Sequence, residues 1–366
     1  VNNLLRFFLC ASLLAATPIY ATDTLRFIGD INFPTGEKFQ DTIIGGLSGI
    51  TYDKDQKKFL AVSDDKSQVN EARFYEFDFT LTDKTFSVKP ASVVKLKNAN
   101  NAYFKKNDTD FEGITLYGND VLISSEGAIN AGKSPEFYRF SRTGEFKDLL
   151  PVPDKFLLPK KYRADAPYGS RDNLSFEALS TALDGSVTYL GSEDALLQDG
   201  PTATSTDNSF TRIIIYKGLK PSMEIAYQLE KVETPTVLNV TAGMNGLVDI
   251  AAIDDKNFFT MERSYLPLKN KNIIRIFRCT ITDKTTDISP MDSIKKATYK
   301  AVDKVLVADL DSFIANMNPH NLDNIEGITF GPSLPNGNQT LIVVSDNNFS
   351  PTQRTLFMAF ELITKK

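Results

Sequence analysis

The sequence predicts an all-β protein, a β-propeller of four-stranded blades. Five blades are counted and six are possible, with the ring closed by an N-terminal strand. Three observations predict this fold. A two-strand unit recurs five times, each beginning near one polar or acidic side chain and ending on another. Two further strand-like runs separate each unit from the next, so each repeat supplies four strands, the pattern of sheets arranged radially about a channel. The last repeat is one strand short, and Leu25 to Ile31 is a spare strand-like run. Borrowing it would complete the last sheet and hide edges that would otherwise pair between molecules.

The units follow in order. Leu47-Ser48-Gly49-Ile50 leads to a strand ending at Ser63-Asp64-Asp65. Phe111-Glu112-Gly113-Ile114 leads to one ending at Ser125-Glu126. Phe176-Glu177-Ala178-Leu179 leads to Ser192-Glu193-Asp194, and Val248-Asp249-Ile250-Ala251 to Met261-Glu262-Arg263. Asn324-Ile325-Glu326-Gly327-Ile328 leads to Ser345-Asp346-Asn347. The intervening runs are strand-like: Arg73 to Phe79 alternates in polarity, as a half-buried strand does. Near-continuous apolar examples are Arg212 to Tyr216 and Thr355 to Leu362. The last is the expected partner of Leu25 to Ile31.

Ahead of the repeats, Arg6 precedes an apolar run, Phe7 to Ala16, too short to span as a helix, and Ala21 is a small residue at a plausible cleavage point. Residues 1–21 are therefore expected to be a signal peptide, and 22–366 a single domain. The protein is expected to be exported, periplasmic or extracellular, and not inserted in a membrane, because no later run suits a membrane helix. The formal charge is −5 and no basic stripe occurs, so no nucleic-acid partner is expected. Of the two cysteines, Cys10 leaves with the leader and Cys279 is expected to be a half-buried strand residue.

In a hairpin, the start of one strand and the end of the other lie at the same end. Five hairpins arranged alike would gather their polar termini on one face. The first-strand residues Ser48, Glu112, Glu177, Asp249 and Glu326 would then surround the tunnel. Clustered carboxylates disfavour one another's ionisation. Calcium, a hard cation taking oxygen ligands, suits them, and these five residues are the expected metal ligands. The alternative is that they accept hydrogen bonds from loop amides and water. Of the second-strand ends, Asp64, Asp346, Glu126 and Glu262 are the candidate catalytic residues. Arg73, Arg171, Arg212, Arg263 and Arg354 lie at the same level and would bind an anionic ester, since guanidinium groups take such oxygens in pairs. Alternatively, they stitch blades together through carboxylate pairs. The single histidine, His320, reads as a loop residue. No Gly-rich phosphate loop, CxxC pair or HExxH motif occurs, so no organic cofactor is expected and hydrolysis would rely on a metal and a carboxylate base.

These residues also carry a resemblance. Gly45 to Ile50 with Ser63-Asp64-Asp65 and Ala72 to Tyr75, the Phe111 and Phe176 segments with Asn173, Met261 to Ser264, and above all Asn324 to Ile328 with Ser345 to Phe349 resemble the phytase-like family described as having esterase-like activity of phytase. Lys66 stands where that family has Arg, and Asp249 where Glu is commoner. The resemblance covers nearly all of the chain after residue 21. It implies an exported propeller that hydrolyses esters or phosphoesters. The expected function is therefore a calcium-dependent hydrolase acting on a small anionic ester, as a monomer. The alternative is a non-catalytic propeller that binds a ligand or protein on the same face.

Overall fold

The structure, a computed structural model, describes residues 23–158, 167–232 and 243–364; the expected signal peptide lies outside them. Five four-stranded antiparallel sheets form the blades of a β-propeller. Blade I is Leu47–Asp53, Lys58–Ser63, Arg73–Leu81 and Phe86–Lys95. Blade II is Phe111–Tyr117, Asp120–Ser125, Glu136–Ser141 and Phe146–Leu149. Blade III is Phe176–Thr181, Thr188–Ser192, Ser209–Lys217 and Lys220–Leu229. Blade IV is Met244–Ala252, Asn257–Leu266, Lys271–Thr280 and Asp303–Asp309. Blade V is Asn324–Gly331, Thr340–Asp346 and Arg354–Ile363, with Thr24–Pro34 as its outermost strand. Leu25 pairs with Leu362 and Ile31 with Phe357, so the N-terminal strand closes the ring as expected.

Period-two alternation sends successive side chains of each strand to opposite neighbours. Phe258 packs toward blade III and Phe259 toward blade V. The same split repeats around the ring and produces five inter-blade cores, one per junction. They hold large side chains such as Phe59, Phe77, Tyr189 and Phe140, all fully buried. Each such side chain contributes about 1.5–3 kcal/mol by leaving water. Cys279 is wholly buried on its strand rather than half-buried, and desolvation pushes its thiol up to about 12. His320 is an exposed loop residue beside the Ile314 carbonyl.

Every innermost strand carries a β-bulge close to its start. In blade I Leu47 faces Ser63 and Gly49 faces Val62, which leaves Ser48 as the extra residue. In blade V the extra residue is Glu326. In blades II and III the irregularity falls at Glu112-Gly113 and Glu177-Ala178. In blade IV it falls on Val248, because Leu247 faces Glu262 and Asp249 faces Met261. A bulge re-aims the side chain it carries. The residue after it packs against the next blade, which is why glycine is common there. A Cβ on Gly49 would come within 2.4 Å of the Glu112 carbonyl oxygen, and one on Gly113 within 2.5 Å of that of Glu177.

Candidate functional site

The bulges define the site. Aligned on them, the five blades contribute Ser48, Glu112, Glu177, Val248 and Glu326 to an inner ring. One pair further toward the loops, the second strands contribute Asp64, Glu126, Glu193, Arg263 and Asp346 to an outer ring. Backbone contacts fix this equivalence. Asp64 N–H donates to Gly46, Glu126 to Asp110 and Glu193 to Ser175, while Arg263 pairs with Gly246 and Asp346 with Asn324. A cavity of about 500 Å³ opens above the rings, lined by Asp64, Lys66, Glu112, Glu126, Glu177, Arg263, Asn324, Glu326 and Asp346 among others. Tyr265, Asn270, Asn272, Asn321, Asp323 and Gln353 also line it.

Of the sequence-derived site residues, Glu112, Glu177, Glu326, Asp64, Asp346, Glu126 and Arg263 meet at this cavity. The others do not, and each departure has a physical cause. Asp249 is one position beyond the bulge, at the place where other blades carry Gly or Ala. Its Oδ1 accepts from the Leu179 and Ile250 amides at 3.2 and 2.8 Å, and its Oδ2 accepts from Ile328 at 2.7 Å. It joins blades III, IV and V and lines no ligand space. Ser48 is buried and donates to the Glu112 carbonyl at 2.9 Å. Glu262 is the counterpart of Ser63, Ser125, Ser192 and Ser345, on the face turned away from the cavity. It accepts from Tyr227 Oη at 2.7 Å and Asn245 Nδ2 at 2.7 Å, and it pairs with Lys304.

Four of the five arginines serve the scaffold. Arg73 is fully buried and is bonded to Asp65 at 2.7 Å, to Tyr75 Oη at 2.6 Å and to the Ile43 carbonyl at 2.9 Å. Arg212, also fully buried, forks onto Asp199 at 2.6 and 3.0 Å and reaches Glu224 at 2.9 Å. Arg171 donates to the Ala195 and Gly200 carbonyls, and Arg354 to Asn321. Arg263 alone enters the cavity. It stands in the outer ring where the other blades place carboxylates, 3.2 Å from Glu326 and 3.5 Å from Glu193. Gly246 makes room for this arrangement, since a Cβ there would lie 2.3 Å from Glu193 Oε1.

Three further groups stand at the rings: Glu193, which the hairpin geometry put around the tunnel mouth, and Asp110 and Lys66, which were not among the expected site residues. Asp110 precedes blade II and pairs with Lys66 at 2.5 Å. Glu193 occupies the blade III outer position. The signal for Glu193 was present, because Ser192-Glu193 matches Ser63-Asp64 and Ser125-Glu126. Asp110 could have been found from its place immediately before the Phe111-Glu112 strand. Lys66 shares the Asp64 loop.

Burial pushes the carboxyls of Asp64, Glu112, Glu126, Glu177 and Asp346 well above the ordinary carboxylate range, and neighbouring carboxylates add to the effect. Burial also raises Glu326, with Arg263 opposing it, and takes Glu193 to about 8. Desolvation would lower Lys66 and Arg263, but the surrounding carboxylates win and hold both cationic. Two trios of carboxylates have ligand oxygens within 4.8 Å of one another: Asp110, Glu112 and Glu126, and Glu126, Glu177 and Glu193. Asp110 Oδ1 is buried without a hydrogen-bond partner among the described residues. An all-oxygen, carboxylate-rich set with an orphaned oxygen fits a hard divalent cation.

A model of the phytase-like family, described as "Esterase-like activity of phytase", matches residues 42–349. No curated protein matches the chain. Among solved structures, the chain is similar to the endo-arabinase of Bacteroides thetaiotaomicron VPI-5482, at 14% identity and a TM-score of 0.44, over 93% of this chain and 98% of that one. It is also similar to the catalytic domain of the Coprinopsis cinerea GH62 alpha-L-arabinofuranosidase, at 10% identity and a TM-score of 0.39, over 93% and 96% of the two chains.

Proposed function

Since the chain belongs to the phytase-like family, we propose that it is an exported, calcium-dependent hydrolase of phosphoesters or other anionic esters, acting as a monomer at the mouth of the propeller. One observation carries the reading: two stacked rings bring seven carboxyl groups and a single guanidinium, that of Arg263, together at an open cavity. So many buried carboxyls at one place disfavour one another's ionisation unless compensated. A bound divalent cation would supply that compensation, together with Lewis acidity toward an ester oxygen.

The chain's own residues supply the rest. Arg263 and Lys66 are the cationic side chains lining the cavity among the described residues. With Arg73, Arg171, Arg212 and Arg354 engaged elsewhere, an anionic group must be met by these two and by the cation. Burial raises the carboxyls of Asp64 and Asp346, with Asp346 adding to the rise at Asp64 and Glu326 to that at Asp346, and in the proposed mechanism one of this pair carries a proton while the other is ionised. The ionised partner can take a proton from the attacking water, and the protonated one can return a proton to the leaving alcohol. Asn324 and the Asn348 amide hold Asp346, at 3.4 and 2.6 Å, and leave Asp64 as the freer base.

The test is a panel of phosphomonoesters, phosphodiesters and carboxyl esters, assayed with added calcium and with chelator. Calcium-dependent turnover is expected, and Asp64→Asn or Asp346→Asn should lower it about a hundred- to ten-thousandfold. Full activity in chelator, or in both variants, would sink the mechanism. Calcium binding with no turnover across the panel would instead favour a ligand-binding cavity.

A further inference from the structure

We propose that the cation lies off the propeller axis, against blades II and III, with Glu126 as its central ligand, while Arg263 fills the opposite sector of the ring. This rests on the cation-dependent reading above and assigns its ligands. The symmetric ring expected from the repeat is not what the chain builds. Blade IV contributes Val248 and Arg263 where the other blades contribute oxygen atoms, and Val248 is buried in the core against blade V. The guanidinium contacts Glu326 of blade V and Glu193 of blade III, so a cation placed near blades IV and V would meet repulsion, and of the two carboxylate trios the one without Glu193 is clear of this contact.

The blade II and III sector is different. Both carboxylate trios lie there, and Glu126 belongs to both. Asp110, Glu112, Glu126, Glu177 and Glu193 are each at least nine-tenths buried. Two buried oxygens adjoin Glu126 independently of the trios' spacing. Asp110 gives one oxygen to Lys66 at 2.5 Å and is hydrogen-bonded to the Glu112 carboxyl, while its Oδ1 accepts from no donor among the described residues. Ser175, beside Glu126, is wholly buried; its amide donates to Glu126 Oε1 at 2.5 Å, yet its Oγ has no partner among the described residues. Buried polar atoms without partners are rare and call for an explanation. A hard cation centred on Glu126 would give the Asp110 oxygen one and draw the surrounding carboxylates together. Lys66 fits this arrangement, since it neutralises the far side of Asp110 and leaves the near side free.

The experiment is isothermal titration of the full chain with calcium, alongside melting curves with calcium and with chelator. It compares the wild type with Glu126→Gln, Asp110→Asn and Asp346→Asn. Asp110→Asn is expected to weaken calcium about tenfold to a hundredfold, and Glu126→Gln by at least that much, with loss of the calcium-induced rise in melting temperature. Asp346→Asn, across the ring, should change affinity by less than about threefold. In chelator, Glu126→Gln should melt no lower than the wild type, because it removes one of several mutually repelling groups, and this separates lost binding from lost folding. Wild-type affinity in Glu126→Gln, or an equal loss in Asp346→Asn, overturns the location and leaves calcium-dependent hydrolysis standing. Absence of calcium binding in the wild type overturns both.

Discussion

Asp249 accepts three backbone amides, one from its own strand and one from each flanking blade. In an asparagine, one of the two side-chain atoms becomes a donor facing a donor. Asp249→Asn and Asp249→Ala should therefore each destabilise the fold by about 3 kcal/mol, read from denaturant melts, while calcium affinity stays near wild type. The sequence reading misplaced this residue, because it recognised a carboxylate in the right repeat and took its chemistry for its position. The arginines failed for a related reason. A guanidinium at the start of a third strand is legible, but whether it turns to the cavity or into the blade depends on partners such as Asp65 for Arg73 and Asp199 for Arg212. Those partners lie in loops whose path no periodicity reveals.

At the level of the strand, one misplaced register explains two errors together. Shifting a strand by one residue exchanges its faces, so aligning blade IV on Asp249 rather than Val248 also put Glu262 at the cavity beside Arg263, although the two adjacent residues face opposite ways. The correct frame was readable, because Gly49, Gly113, Ala178 and Gly327 each precede an Ile or Leu, as Asp249 precedes Ile250. Serines precede the outer-ring acids of the other blades, as Glu262 precedes Arg263. A direct check follows from this frame. Glu262→Ala leaves Lys304 and the Tyr227 hydroxyl facing a buried gap. It should cost about 3 kcal/mol of stability without altering calcium affinity or hydrolysis. A loss of activity at unchanged stability would return Glu262 to the site.

For the whole molecule, the five repeats, the four-stranded blades and the closing strand were all legible, because they rest on alternation and counting. What the ring holds sets its response to pH. The carboxyls of Glu193 and Asp194 are raised by burial, to about 8 and about 6. Between the ordinary carboxylate range and those values, the folded state holds protons that the unfolded chain has released. Their contribution to stability is therefore complete below about pH 4 and is lost as the pH rises toward 8. In chelator, the melting temperature should fall over that interval. Calcium, which competes with those protons, should flatten the fall, and a calcium-free melting temperature that climbs from pH 5 to 8 would contradict the buried-acid picture. The ring's seam also governs how the protein comes into being. Arg26 bonds Glu361 across 335 positions of chain, so the Thr24–Pro34 strand waits for a partner made far later. Loop-closure entropy grows only slowly with length, so the long wait costs little at equilibrium, but pairings this remote form slowly. Until they form, the fifth sheet presents an open edge that another nascent chain could pair with. The seam closes most safely when both of its halves are present together.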